Sequence, residues 1–182
     1  MAADSQKHLF GGPYPWSPTD WTSSDDRVRG GSSFSTLIPS PDKHSATFKG
    51  NLDITTLGGA GFASQRTTAE SSWDLAAYDG LELDILKSDG KLYTLTLKDE
   101  ILPNRPDGRE RSSLSWEAEV RVNKGVGEKV VVKWEDLRPM YRGKEVEGVE
   151  PLDLGSVKRV GIMMRRYVSD SYGFGFWGAV WT

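Results

Sequence analysis

Cysteine is absent from all 182 residues. That excludes a disulfide framework, a thiol nucleophile and any cysteine-ligated zinc or iron–sulfur centre, and it fits a reducing compartment. Histidine is almost as scarce: His8 and His44 stand far apart in loop-like segments, without the spacing of a paired metal site. No Gly-x-Ser-x-Gly elbow occurs. The Asp89-Gly90 and Asp107-Gly108 turns lack the dense ligand loop of an EF-hand, so neither a metal nor a cofactor is expected. No apolar run is long enough to cross a bilayer. The opening MAADSQKHLFGGPYPW has neither the apolar centre of a secretory signal nor the Arg-rich pattern of a presequence, which makes the cytoplasm the expected location. Clustered positive charge is missing too. Lys and Arg number 23 against 26 Asp and Glu, for a net charge of -3, and they are scattered, so nucleic acid is not an expected partner. Helix signals are few, and Trp134 to Tyr141 has room for one turn before Pro139 stops it.

What is present is aromatic and strand-like. Seven Trp, six Tyr and six Phe supply ample area for one core, and the length is short for two. Residues 1–19 read as an irregular lead-in, broken by Pro13, Pro15 and Pro18 and pinned by Trp16 and the nearby Trp21; residues 20–182 read as one β-sandwich domain. Short runs recur between turn signals: Phe34 to Ile38, Ala46 to Phe48, Gly61 to Thr67, Leu81 to Leu86, Leu92 to Lys98, Leu114 to Val122, Lys129 to Trp134, Val157 to Met164 and Gly173 to Trp181. This spacing predicts an all-β jelly roll or sandwich. Leu114, Trp116, Ala118 and Val120 alternate with Ser115, Glu117, Glu119 and Arg121, so one face of that strand goes to the core. Ser88-Asp89-Gly90 reads as a hairpin turn.

Three stretches carry candidate chemistry. In Asp25-Asp26-Arg27-Val28-Arg29-Gly30-Gly31-Ser32-Ser33, the glycine pair reads as a sharp turn into a strand rather than an anion nest, because no helix pattern follows. The adjacent acids read most simply as solvated loop charges. In Gly58-Gly59-Ala60-Gly61-Phe62-Ala63-Ser64-Gln65-Arg66, close backbone approach explains the glycines, and alternation places Phe62, Ser64 and Arg66 on one face. In Val160 to Tyr167, inward Val160, Ile162 and Met164 leave Gly161, Met163 and Arg165 on the other side. Arg66, Lys98, Glu117 and Arg165 then form a candidate polar ligand site, with Trp116, Tyr141 and Trp177 as walls.

The ordered motifs resemble the complex I intermediate-associated protein 30 family. Asp26-x-Val28-x-Gly30-Gly31-x-Ser33, Phe48-x-Gly50-x-Leu52, Gly61-Phe62-Ala63-Ser64 with Arg66, Tyr78-Asp79-Gly80-Leu81, Asp89-Gly90-Lys91-x-Tyr93 and Asp136-Leu137-x-Pro139-x-Tyr141-Arg142-Gly143 carry the likeness. It implies a galactose-binding-like jelly roll and a stand-alone, fungal-type member. It also implies a non-enzymatic, chaperone-like role similar to that of mitochondrial NADH:ubiquinone oxidoreductase assembly proteins, with an assembly intermediate as protein partner. Asp26, Gly30, Gly31, Ser33, Gly61 and Phe62 are then structural motif residues. No catalytic residue is implied. The alternatives are a small-molecule site, worked as a cofactor-free isomerase or cyclase, and a carbohydrate-binding module, since aromatic platforms on sandwiches stack on sugar rings.

Overall fold

The alternating run around Trp116 becomes a strand whose Ala118 and Val120 are buried, and the same rule builds the other strands of a computed structural model that describes residues 6–68, 72–166 and 177–181. Arg166 and the last five of these are described by backbone alone. In chain order the strands are β1 Trp21–Ser23, β2 Phe34–Pro39, β3 Ala46–Asn51, β4 Gly61–Thr67, β5 Gly80–Lys87, β6 Leu92–Lys98, β7 Ser115–Arg121, β8 Glu128–Lys133, β9 Arg138–Tyr141, β10 Lys144–Glu145, β11 Arg159–Arg166 and β12 Trp177–Trp181. Helix is limited to four single 3-10 turns among the described residues. One of them, Trp134–Asp136, occupies the stretch where the sequence allows a turn, and Pro139 falls in the strand that follows.

The strands form two antiparallel sheets. One has the order β1-β4-β11-β6-β7-β9-β10, the other β2-β3-β12-β5-β8. Between them lies the core, with Ala63, Leu95, Leu97, Val120, Ile162 and Met164 from the first sheet facing Leu37, Phe48 and Ile85 from the second. Phe48 and Tyr93 meet edge to face across the gap, with ring centroids 5.9 Å apart. Each large apolar side chain buried here contributes roughly 1.5–3 kcal/mol. The proline-rich lead-in closes one end, where Phe10 stacks on Trp16 at 5.2 Å and meets Trp21 at a tilt, with ring centroids 5.0 Å apart.

One turn has a different role from the one its sequence suggests. Ser88-Asp89-Gly90 does reverse the chain, with Gly90 at φ 87°. However, β5 and β6 lie in different sheets, so the segment is a crossover between layers and not a hairpin. Asp and Gly fix the turn locally but do not choose the strand that pairs beyond it. Among the described residues, no helix is long and apolar enough to cross a membrane.

Candidate functional site

The inward side chains of the seven-stranded sheet fix which ones point out. Ala63, Gln65 and Thr67 of β4 are buried in the sandwich, which turns Phe62, Ser64 and Arg66 to the outer face. Register then aligns the neighbours: Arg66 pairs with Gly161, Gly161 with Thr96, and Thr96 with Glu117, in one row across β4, β11, β6 and β7. Arg159 and Lys98 pair one step along, at the same end of the sheet. Gly161 lets the Thr96 side chain pack over β11 in this row, because a Cβ there would lie 2.5 Å from Thr96 Oγ1.

Four of the seven ligand-site candidates therefore share one face: Arg66, Lys98, Glu117 and Arg165. Arg165 donates from Nη1 to Glu117 Oε2, and Ser115 Oγ donates to Glu117 Oε1 at 2.8 Å. This pair is largely buried, with side-chain exposures of 14% and 8%. Trp116 does not join them. Its ring turns the other way and packs against the core, with the indole N–H buried and unpartnered. Tyr141 also lies on the Trp116 side by alternation from Pro139, which pairs with Trp116; its half-exposed ring carries the Arg142 guanidinium at 5.4 Å. The Trp177 side chain, like the aromatic run before it, lies outside the described residues.

Two further members of the cluster, Arg159 and Glu110, carry no sequence signal, since each reads as an isolated surface charge. Glu110 belongs to the 99–114 loop between β6 and β7. Its Oε1 lies 2.6 Å from Arg159 Nη1 and 3.1 Å from Arg66 Nη2. Lys98 donates to Ser113 Oγ at 2.9 Å, tying the end of the same loop to the sheet. Burial, and next the nearby Arg159, hold the Lys98 ammonium below the usual lysine pKa, while Glu110 opposes the shift. Burial and Arg159 also lower Arg66, which stays charged because the guanidinium starts so high. The outer face thus gathers four cations, Arg66, Lys98, Arg159 and Arg165, against two carboxylates, Glu110 and Glu117, the second paired with Arg165 and also acting on Lys98. Among the described residues no group of His, Asp and Glu is placed to hold a metal.

The Asp25-Asp26 stretch is a structural lock and not a pair of solvated charges. Both carboxylates are buried. Asp26 accepts from Ser33 N at 3.0 Å, Ser33 Oγ at 2.6 Å and Phe62 N at 3.2 Å; Asp25 accepts from Ser35 Oγ at 2.7 Å and Ser64 N at 3.0 Å. Together they clamp the start of β2 to β4 across the two sheets. Local sequence cannot show this, because the covering strand comes from some forty residues downstream. Gly30 takes φ 85° to end the turn. Gly31 and Gly61 serve by closeness: a Cβ on Gly31 would lie 2.3 Å from Asp26 Oδ1, and one on Gly61 would lie 2.3 Å from the Asp53 carbonyl oxygen.

This architecture, two antiparallel sheets with jelly-roll topology and a charged outer face on the larger one, defines a galactose-binding-like β-sandwich. A family 11 carbohydrate-binding module of the cellulosomal cellulase Lic26A-Cel5E of Clostridium thermocellum shares it, with a TM-score of 0.51 at 12% identity over 89% of this chain and 86% of the module. The chain belongs to the complex I intermediate-associated protein 30 family, whose model matches residues 8–175. An uncharacterized protein of Schizosaccharomyces pombe is 41% identical over 170 residues, covering 91% of this chain and 77% of that protein. The buried Asp26–Ser33–Phe62 lock sits inside the matched region, on the residues that carry the family likeness.

Proposed function

We propose that the chain is a non-catalytic binding module of the assembly-factor type, which holds a protein partner on the outer face of its seven-stranded sheet. The observation that carries this reading is the placement of Arg66, Lys98, Arg159 and Arg165 on one face, four cations against the two carboxylates Glu110 and Glu117. Charge so placed fixes the register and specificity of a partner more than it adds raw affinity. Family membership supports a partner from a complex I assembly intermediate and, with it, a mitochondrial location. The alternative of a cofactor-free isomerase or cyclase uses the same cluster, with Lys98, whose pKa burial lowers, as the candidate proton carrier. The carbohydrate reading draws on the fold of the cellulase module. It has little to stand on here, since Trp116 faces the core and Tyr141 lies on that same side of the sheet, away from the charged face.

Native mass spectrometry of the tagged protein, gently purified from its own cells, tests the proposal. The expected result is a stoichiometric protein adduct that Arg66→Ala loses and Lys129→Ala, on the other sheet, keeps. A bare monomer would overturn the reading, and a small-molecule adduct lost in Arg66→Ala would turn it toward the enzymatic alternative.

A further inference from the structure

Glu110 is the odd member of the outer-face cluster. The groups it touches are fixed on two adjacent strands, whereas Glu110 comes from a loop whose residues 103–111 are exposed, and its own side chain is 34% exposed. A single oxygen, Oε1, meets both arginines. The Nε–H groups of Arg66 and Arg159 are buried without an acceptor. In Arg66 that Nε lies on the same guanidinium edge as Nη2, so Glu110 fills only half of a two-pronged donor fork. Positive charge is also in excess: Lys98 feels both arginines, which depress its pKa, against Glu110 and Glu117, and Glu117 is already paired with Arg165. The two arginines therefore hold donors that Glu110 does not satisfy, and buried unsatisfied donors are costly.

We propose that Arg66, Arg159 and Lys98 form a binding site for a doubly charged anionic group with several acceptor oxygens, paired carboxylates or a phosphate, and that Glu110 occupies it until that group displaces the loop. This rests on the reading above that the outer face is the binding face, and it names the chemistry gripped there. The second and third oxygens of such a group reach donors that Glu110 leaves empty. Gly161, which lies between Arg66 and Thr96 in the row, adds no side chain of its own among these donors, and the Thr96 hydroxyl leans over it, 2.5 Å from where a Cβ would stand. The two ligand chemistries come from different sources: paired carboxylates from acidic side chains of a protein or a free dicarboxylate, phosphate from a phosphorylated one.

The test is a titration of the wild type and Glu110→Gln with glutarate, inorganic phosphate and acetate at constant ionic strength, read by calorimetry and by the arginine Nε–H resonances. Removing a tethered competitor, whose effective concentration is of millimolar order or above, is expected to tighten glutarate or phosphate binding at least about tenfold. Acetate stays weak with both proteins, and Arg159→Met binds none of the three. Preference for glutarate points to acidic side chains and preference for phosphate to a phosphorylated group. Equal affinity in wild type and Glu110→Gln, or binding retained by Arg159→Met, overturns the proposal. Should Glu110→Gln fold poorly, the wild type decides alone: saturating phosphate or glutarate must speed amide exchange in residues 105–112, and unchanged exchange refutes displacement. The two readings fail separately. Partner capture that depends on Arg66, with no anion binding, sinks this inference only; anion binding in a protein that captures no partner sinks only the assembly-factor reading.

Discussion

Removing the Asp26 carboxylate puts the lock between β2 and β4 to the hardest test. Asp26→Ala deletes the acceptor of three donors: the buried Ser33 N–H, the Ser33 hydroxyl and the Phe62 N–H. The hydroxyl still has the Asp53 carbonyl at 3.2 Å, so its loss is small. Each of the two backbone donors left in a buried site costs about 1–3 kcal/mol. Relief of the burial of a carboxylate and entry of a water offset part of that, leaving about 3 kcal/mol. For a domain of this size roughly 2–4 °C is lost per kcal/mol, so Tm is expected to fall by about 6–12 °C. Thermal unfolding followed by tryptophan fluorescence and circular dichroism measures it, with the exposed Glu147→Ala as the control expected to stay within about 0.5 kcal/mol. A fall below about 2 °C for Asp26→Ala would refute the reasoning, because it would mean that the strands hold their alignment without the carboxylate.

Three other expectations follow from the same structure. Gly31→Ala drives its Cβ against a buried Asp26 that has nowhere to move and should cost roughly 1–3 kcal/mol in chemical denaturation, an effect that shrinks in an Asp26→Ala background. Arg165→Met strands the buried Glu117 and is expected to destabilise by about 3–5 kcal/mol, whereas Arg165→Met with Glu117→Leu recovers most of the loss; no recovery in the double variant would contradict a paired role. Burial, with help from Lys124 and against Asp89, lowers the Lys91 pKa to about 8 from 10.5. Between those values the unfolded chain holds more protons at this side chain than the folded one, so the wild type should gain stability relative to Lys91→Gln as pH rises from about 8 to 10.5, and a flat difference across that window would refute the shift.

The strands were readable wherever one face meets the core and the other does not. β4 and β6 occupy the spans their patterns predict, and Val160, Ile162 and Met164 point inward as alternation requires. The shared face of Arg66, Lys98, Glu117 and Arg165 follows from that same parity, once register brings the strands side by side. Parity also decides against Trp116: it is one residue from Glu117, so a face that takes the acid must exclude the ring. The short strands Trp21–Ser23, Arg138–Tyr141 and Lys144–Glu145 gave no periodic signal, because two to four residues hold at most two alternations. Asp25 and Asp26 were misread for a different reason. Their burial is decided by strands far along the chain, and two adjacent acids look the same in sequence whether they are solvated or locked. Glu110 was invisible on the same grounds, an ordinary loop acid until the fold sets it against two arginines.

The order of strands has a consequence for how the protein is made. β11 and β12 are the last strands in the described chain, yet each sits inside its sheet and not at an edge. Until they are synthesised, one layer exists as β1-β4 apart from β6-β7-β9-β10, and the other as β2-β3 apart from β5-β8. Every such fragment ends in an open edge with unpaired backbone groups, the arrangement most prone to pairing with a neighbouring chain. Synthesis on the ribosome therefore leaves both layers of this sandwich unfinished, with their inner edges open, until Arg159 and the strand residues that follow it have emerged.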